Sequence, residues 1–143
     1  MSEVEVSKLV VGDLIYASIH IDRADMANPK ATSGTAKKIK KGEPVVRHCV
    51  VLEKNEHSVV VTYLATFGGS KKLPTTLQEV YWYPIEPAEK EGKHEPLPEL
   101  NPGVAQWASL RKKQTVTGDV KMSDMRVRMS EESVHLVLSA MHA

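Results

Sequence analysis

The chain has 143 residues, 41% hydrophobic and 26% charged, the size and composition of one globular domain, which excludes a disordered chain and a pair of full-sized domains. Its 19 lysines and arginines stand against 18 aspartates and glutamates, so no global field draws it onto nucleic acid or an anionic membrane, and any polyanion site must be local. Cys49 is the single cysteine, which excludes an intramolecular disulfide framework and a thiolate-rich zinc site and points to a reducing compartment, the cytosol or the nucleus.

The sequence opens on MSEVEVSKLVVGD, with two glutamates before any apolar run, unlike the basic-then-apolar order of a secretion signal. No stretch approaches membrane-spanning length, so no membrane partner is expected. DLIYASIHI (13–21) is rich in β-branched and aromatic residues, with Leu14, Tyr16 and Ser18 on one side and Ile15, Ala17 and Ile19 on the other, the pattern of a buried first strand. Residues 22–43 break into polar and small types, punctuated by Pro29, Gly34 and Gly42 and carrying lysines at 37, 38, 40 and 41, and read as a long mobile loop. VVRHCVVLE (45–53) and SVVVTYLATF (58–67) are two strong strands; the polar residues 54–57 between them have hairpin length, so an antiparallel pair is expected.

Gly68 and Gly69 end the second of these strands. EVYWYPI (79–85) is a further aromatic candidate halted by Pro84, and residues 84–102, rich in proline and glutamate, read as a second long loop. Val120, Met122, Met125, Val127 and Met129 mark a strand with a bulge at Ser123 and Asp124, Arg126 and Arg128 pointing away from its apolar side. Ser130 then caps a helix whose first turn carries Glu131 and Glu132 and whose apolar stripe is Val134, Val137, Leu138 and Met141. With no helical segment between the early strands, the expected fold is mainly β with minor α: an SH3-like small β-barrel with long loops and a docked C-terminal helix, one domain over residues 1–143.

The residues offer few sites for chemistry. GGSKK (68–72) lacks the spacing and following helix of a phosphate loop and reads as a turn. The six histidines, at 20, 48, 57, 94, 135 and 142, form neither HxH nor HExxH, so no metal and no cofactor are expected. Arg47 and His48, by contrast, interrupt an apolar strand, and Thr66 ends its neighbour, so the three can converge at one end of the barrel. There an arginine would donate several fixed hydrogen bonds to a phosphate and a threonine hydroxyl would hold a non-bridging oxygen. His48 would transfer a proton, although strand alternation turns it opposite to Arg47. A second reading stays open, in which Arg47 occupies the solvent face of a half-buried strand and Thr66 serves β propensity alone. Lys71, Lys72, Arg111, Lys112 and Lys113 fall in expected loops, as do the lysines between 37 and 41; gathered around Arg47 they would form a groove for single-stranded RNA, with Tyr63, Phe67, Tyr81 or Trp82 to stack bases.

GDLIYASI (12–19), GEPVVRHCVVLE (42–53) and VVVTYLATF (59–67), taken in order with the late strand and helix, resemble the PemK/MazF family of toxin endoribonucleases. The resemblance implies the barrel fold, an RNA substrate cleaved without metal, an antitoxin-like protein partner and a homodimer. It gives Arg47 the place of the family's catalytic arginine, Thr66 that of its active-site threonine and Glu43 that of its loop glutamate. The sequence departs from the family where His48 and Cys49 replace a proline and a small or apolar residue and Phe67 replaces a serine. Those departures suit a rival reading, a non-catalytic SH3-like module that binds protein or RNA.

Overall fold

Period-two alternation in the central strands sends one set of side chains to each face of a single antiparallel sheet. The structure, a computed structural model, describes residues 3–123 and 127–141. Its elements are β1 (Glu3–Glu5), β2 (Leu14–Ile19), α1 (Gly34–Lys40), β3 (Val45–Lys54), β4 (Val59–Ala65), β5 (Trp82–Ile85), β6 (Gln106–Ser109), β7 (Gln114–Val116), β8 (Asp119–Met122) and α2 (Glu131–Ala140). The strands pair in the order β1-β8-β2-β3-β4-β6-β5, with β7 added to β4 beside β6. The expected mainly-β fold with a C-terminal helix is thus the observed one, and β3 and β4 form the expected antiparallel pair.

The sheet is barrel-like, yet its backbone hydrogen bonds do not close it. A side chain bridges the gap: His20 N donates to Gln114 Oε1 at 2.8 Å, and Gln114 Nε2 donates to the His20 carbonyl at 2.7 Å. The Gln114 amide therefore stands in for a peptide group and ties the end of β2 to β7, completing a ring through β3 and β4. Within the ring lie Ile15, Ala17, Ile19, Val45, Cys49, Val51, Val61, Tyr63 and Trp107; on the other face Leu14, Val50, Leu52, Leu64, Ile85 and Leu110 pack under Val134 and Val137 of α2. Because both faces of β3 are covered, its centre is a continuous apolar run. Ser130 caps α2 as expected, accepting from Ser133 N at 3.1 Å.

Two expectations need correction. The loop expected over 22–43 contains a 3₁₀ turn at Arg23–Asp25 and the helix α1. Ser33 Oγ accepts from Ala36 N at 3.1 Å, and Ala36 and Ile39, three apart, bury one face, leaving Lys37 and Lys38 outside. Beyond residue 102 the chain adds β6 and β7, which the sequence did not signal, with Arg111, Lys112 and Lys113 in the loop between them as expected. Pro84 lies inside β5 rather than ending it. Of the expected bulge, Ser123 is described and follows β8, while Asp124 lies outside the described residues.

The proline-rich stretch folds back on the sheet through His94, whose ring stacks on Tyr83 with centroids 4.3 Å apart and planes at 18°. Burial, assisted by the charge of Lys93, holds the His94 pKa below its ordinary value. The unfolded chain then takes up a proton that the folded chain refuses, so stability falls as pH drops through the ordinary histidine range. In thermal melts between about pH 7 and pH 5, the melting temperature of wild type is expected to fall more steeply than that of His94→Phe, which keeps a stacking ring without titrating. Parallel curves would remove His94 as the cause.

Candidate active site

The β3–β4 ladder runs from Lys54–Val59 to Cys49–Tyr63 and stops there. Beyond Cys49 the two strands part: β3 remains on β2, with Arg47 opposite Ala17, while β4 turns onto β6, with Leu64 opposite Ala108. The parting opens a cleft of about 330 Å³ lined by Arg47 and His48 on one side and by Tyr63 to Phe67 on the other, over Ile21, Met26 and Ile39. All three residues expected to carry chemistry, Arg47, Thr66 and His48, therefore reach one cleft, and α1 contributes Ile39 to its wall.

Their side chains are not equivalent. Arg47 is half-buried and makes no ion pair among the described residues; Nη1 donates to the Val46 carbonyl at 2.8 Å. A guanidinium at the mouth of the cleft is suited to bidentate contact with a carboxylate or a phosphate. Thr66 is exposed at the end of β4. The His48 ring stacks on Tyr16 with centroids 4.2 Å apart, and Nε2 lies 3.3 Å from Ser123 Oγ. Neither partner lines the cleft, so alternation turns the His48 ring away from Arg47 as the strand period requires. Glu43 lies in the exposed turn after α1, outside the cleft lining.

The basic residues expected around the cleft divide. Lys71 and Lys72 follow directly on the turn that ends the cleft, and with Lys112 they are exposed and without ion pairs among the described residues. Lys113 Nζ lies 3.2 Å from Glu53 Oε1. Arg111 is held inward: Nε and Nη2 donate to Asp25 Oδ1 at 3.0 and 2.9 Å, and its Cζ stands 4.0 Å over the Tyr81 ring. The hydrogen bonds to Asp25 raise the Arg111 pKa further above its ordinary value. The groove of free cations proposed from sequence therefore loses Arg111, because the buried carboxylate of Asp25 requires a counter-charge.

The aromatic residues divide in the same way. Tyr63 and Trp82 are buried, and their rings meet edge to face with centroids 5.9 Å apart. Tyr63 Oη donates to Asp25 Oδ2 at 3.3 Å; burial, and then the negative charge of Asp25, push its pKa well up. Phe67 alone of the four both lines the cleft and is partly accessible. Cys49, against the family's small or apolar residue, is fully buried, and burial pushes its thiol up to about 12, so it is no nucleophile. Among the described residues, no three His, Cys, Asp or Glu side chains are grouped to hold a metal ion, and no helix is long and apolar enough to cross a membrane.

Sequence reading missed Asp25, a cleft-lining residue whose partner Arg111 is 86 positions away. No local pattern signals such a pair; β6 and β7, which deliver Arg111, were themselves not expected. No family model, curated protein or solved structure matches the chain.

Proposed function

We propose that this chain is a PemK/MazF-like protein that binds single-stranded RNA and cleaves it at Arg47 and Thr66 without a metal ion. The observation that carries the reading is the parting of β3 and β4, which puts an arginine without an ion pair among the described residues and a threonine on facing walls of one cleft. The ribose 2′-oxygen attacks the adjacent phosphorus; the O2′–P bond forms and the P–O5′ bond breaks, leaving a 2′,3′-cyclic phosphate and a 5′-hydroxyl. Arg47 donates to the non-bridging oxygens as they gain charge, and Thr66 Oγ1 orients the phosphate. Water carries the proton from the 2′-hydroxyl and supplies the one taken by O5′, since the His48 ring is engaged by Tyr16 and Ser123 and Asp25 by Arg111.

Incubation with mixed-sequence single-stranded RNA in EDTA, with fragment ends mapped, tests the reading. Arg47→Ala is expected to lower the cleavage rate by about 10²- to 10³-fold, the effect of removing one preorganised donor to a developing oxyanion. Equal cleavage by both proteins overturns the assignment. The turned-away His48 ring favours a second reading, a non-catalytic module that binds RNA or protein through the same cleft; it is the reading left if wild type binds RNA and yields no fragments. An antitoxin-like partner and a homodimer belong to the first reading, and light scattering of the purified chain reads the latter.

A further inference from the structure

Behind the cleft lies a donor with no acceptor. Trp82 is 2% exposed, and its indole Nε1 is buried without a hydrogen-bond partner among the described residues. A buried donor in that state is costly to keep unless something else supplies the acceptor. Phe67, which lines the cleft, packs on Trp82, its ring meeting the indole edge to face with centroids 5.0 Å apart and planes at 77°.

Phe67 is itself held in an unfavourable backbone conformation. Its φ is +46°, the one non-glycine residue with positive φ among those described, and for a bulky aromatic residue that is a true outlier. Gly68 and Gly69 follow at φ +71° and +87°, and no heavy atom lies within 4 Å of where a Cβ on either would stand. Their role is therefore backbone conformation and not space. Gly69 N donates to the Thr66 carbonyl at 2.9 Å and Ser70 N to the Phe67 carbonyl at 3.4 Å, and the Trp107 indole Nε1 donates to the Ser70 carbonyl at 3.5 Å. A strained aromatic residue followed by two glycines at positive φ is a place where the backbone can change conformation.

We propose that Trp82 is a binding residue for a nucleobase, reached when Phe67 swings out of the cleft. The inference rests on the RNA reading and deepens it. A nucleobase is flat, matches the ring that it displaces, and carries carbonyl or ring-nitrogen acceptors at its edge that meet the Trp82 N–H. It inherits the edge-to-face packing of Phe67 on Trp82 while the attached phosphate lies at Arg47. Phe67 is then a gate: the closed form withholds the subsite and lowers apparent affinity by the fraction of molecules that are open.

Titration of the full ¹⁵N-labelled chain with a short single-stranded 2′-O-methyl RNA, which binds without being cut, tests this. The indole N–H signals of Trp82 and Trp107 are assigned with Trp82→Phe. The Trp82 signal is expected to move downfield, and Phe67→Ala is expected to tighten binding by about 3- to 10-fold. If the amides of residues 64–67 shift and the Trp82 indole does not, the subsite is overturned and the RNA reading stands. If nothing in the cleft shifts, both fall. Weaker binding by Phe67→Ala would make that ring a stacking wall and overturn the gate; the indole readout in wild type does not depend on that variant.

Discussion

Arg111→Met is expected to destabilise the protein by about 3–5 kcal/mol, the usual cost of removing one partner of a buried ion pair. The Asp25 side chain is 2% exposed and that of Arg111 24%, so the arginine can be lost to solvent while the carboxylate cannot. Without Arg111, the Asp25 carboxylate keeps, among the described residues, the 3.3 Å hydrogen bond from Tyr63, which does not neutralise its charge. The chain must then bury an unpaired carboxylate, protonate it, or open the segment around it. Denaturant unfolding should show the loss as a lower midpoint at unchanged slope, and thermal unfolding as a fall of about 10 °C or more. Asp25→Asn combined with Arg111→Met should recover part of the loss, because the stranded charge is gone. A single-variant loss below about 1 kcal/mol would mean that Asp25 is hydrated. Since Asp25 also lines the cleft, the single variant should weaken binding there as well.

Gly12→Ala is the second large effect. Gly12 has φ +93°, and a Cβ on it would stand 2.2 Å from the Met129 carbonyl oxygen and 2.9 Å from Arg128 Cγ. The backbones approach because Gly12 joins two elements: its N–H donates to the Val51 carbonyl at 2.8 Å, and its carbonyl accepts from Met129 N at 2.9 Å. Beside it Asp13 accepts from Arg128 Nε at 2.8 Å. The Met129 carbonyl cannot move without detaching the segment that leads into α2, so the strained φ and the overlap together should cost about 3 kcal/mol or more. Hydrogen exchange is expected to show α2 losing protection before β3 does; uniform loss across both would contradict a local detachment.

Legibility in the sequence followed the range over which each signal acts. Strands 45–53 and 58–67 and the capped C-terminal helix were readable because alternation, β-branching and capping act within one element. Arg47 and Thr66 could be placed near each other because adjacent strands of a hairpin fix their spacing. α1 escaped because its apolar face is only Ala36 and Ile39 within a run of lysines, and charge dominated the reading. β6 and β7 escaped because they are four and three residues long and gain their partners from β4, far back in the chain. The Asp25–Arg111 pair was illegible for the same reason: nothing near either residue names the other.

The two ends of the sheet bear on how copies of this chain behave at high concentration. The last strand, β5, has Pro84 in it, and on its outer side Leu97 N donates to the Pro84 carbonyl at 2.9 Å while Glu86 N donates to the Leu97 carbonyl at 2.8 Å. The nitrogen that cannot donate faces a loop that already occupies that side. At the opposite end, β1 is three residues long with Glu3 and Glu5 flanking Val4. One border is capped and the other is short and anionic, two devices that stop a neighbouring molecule from extending the ladder. Growth of ordered fibres by strand addition is thereby blocked at both borders, and association of folded copies is left to their side-chain faces.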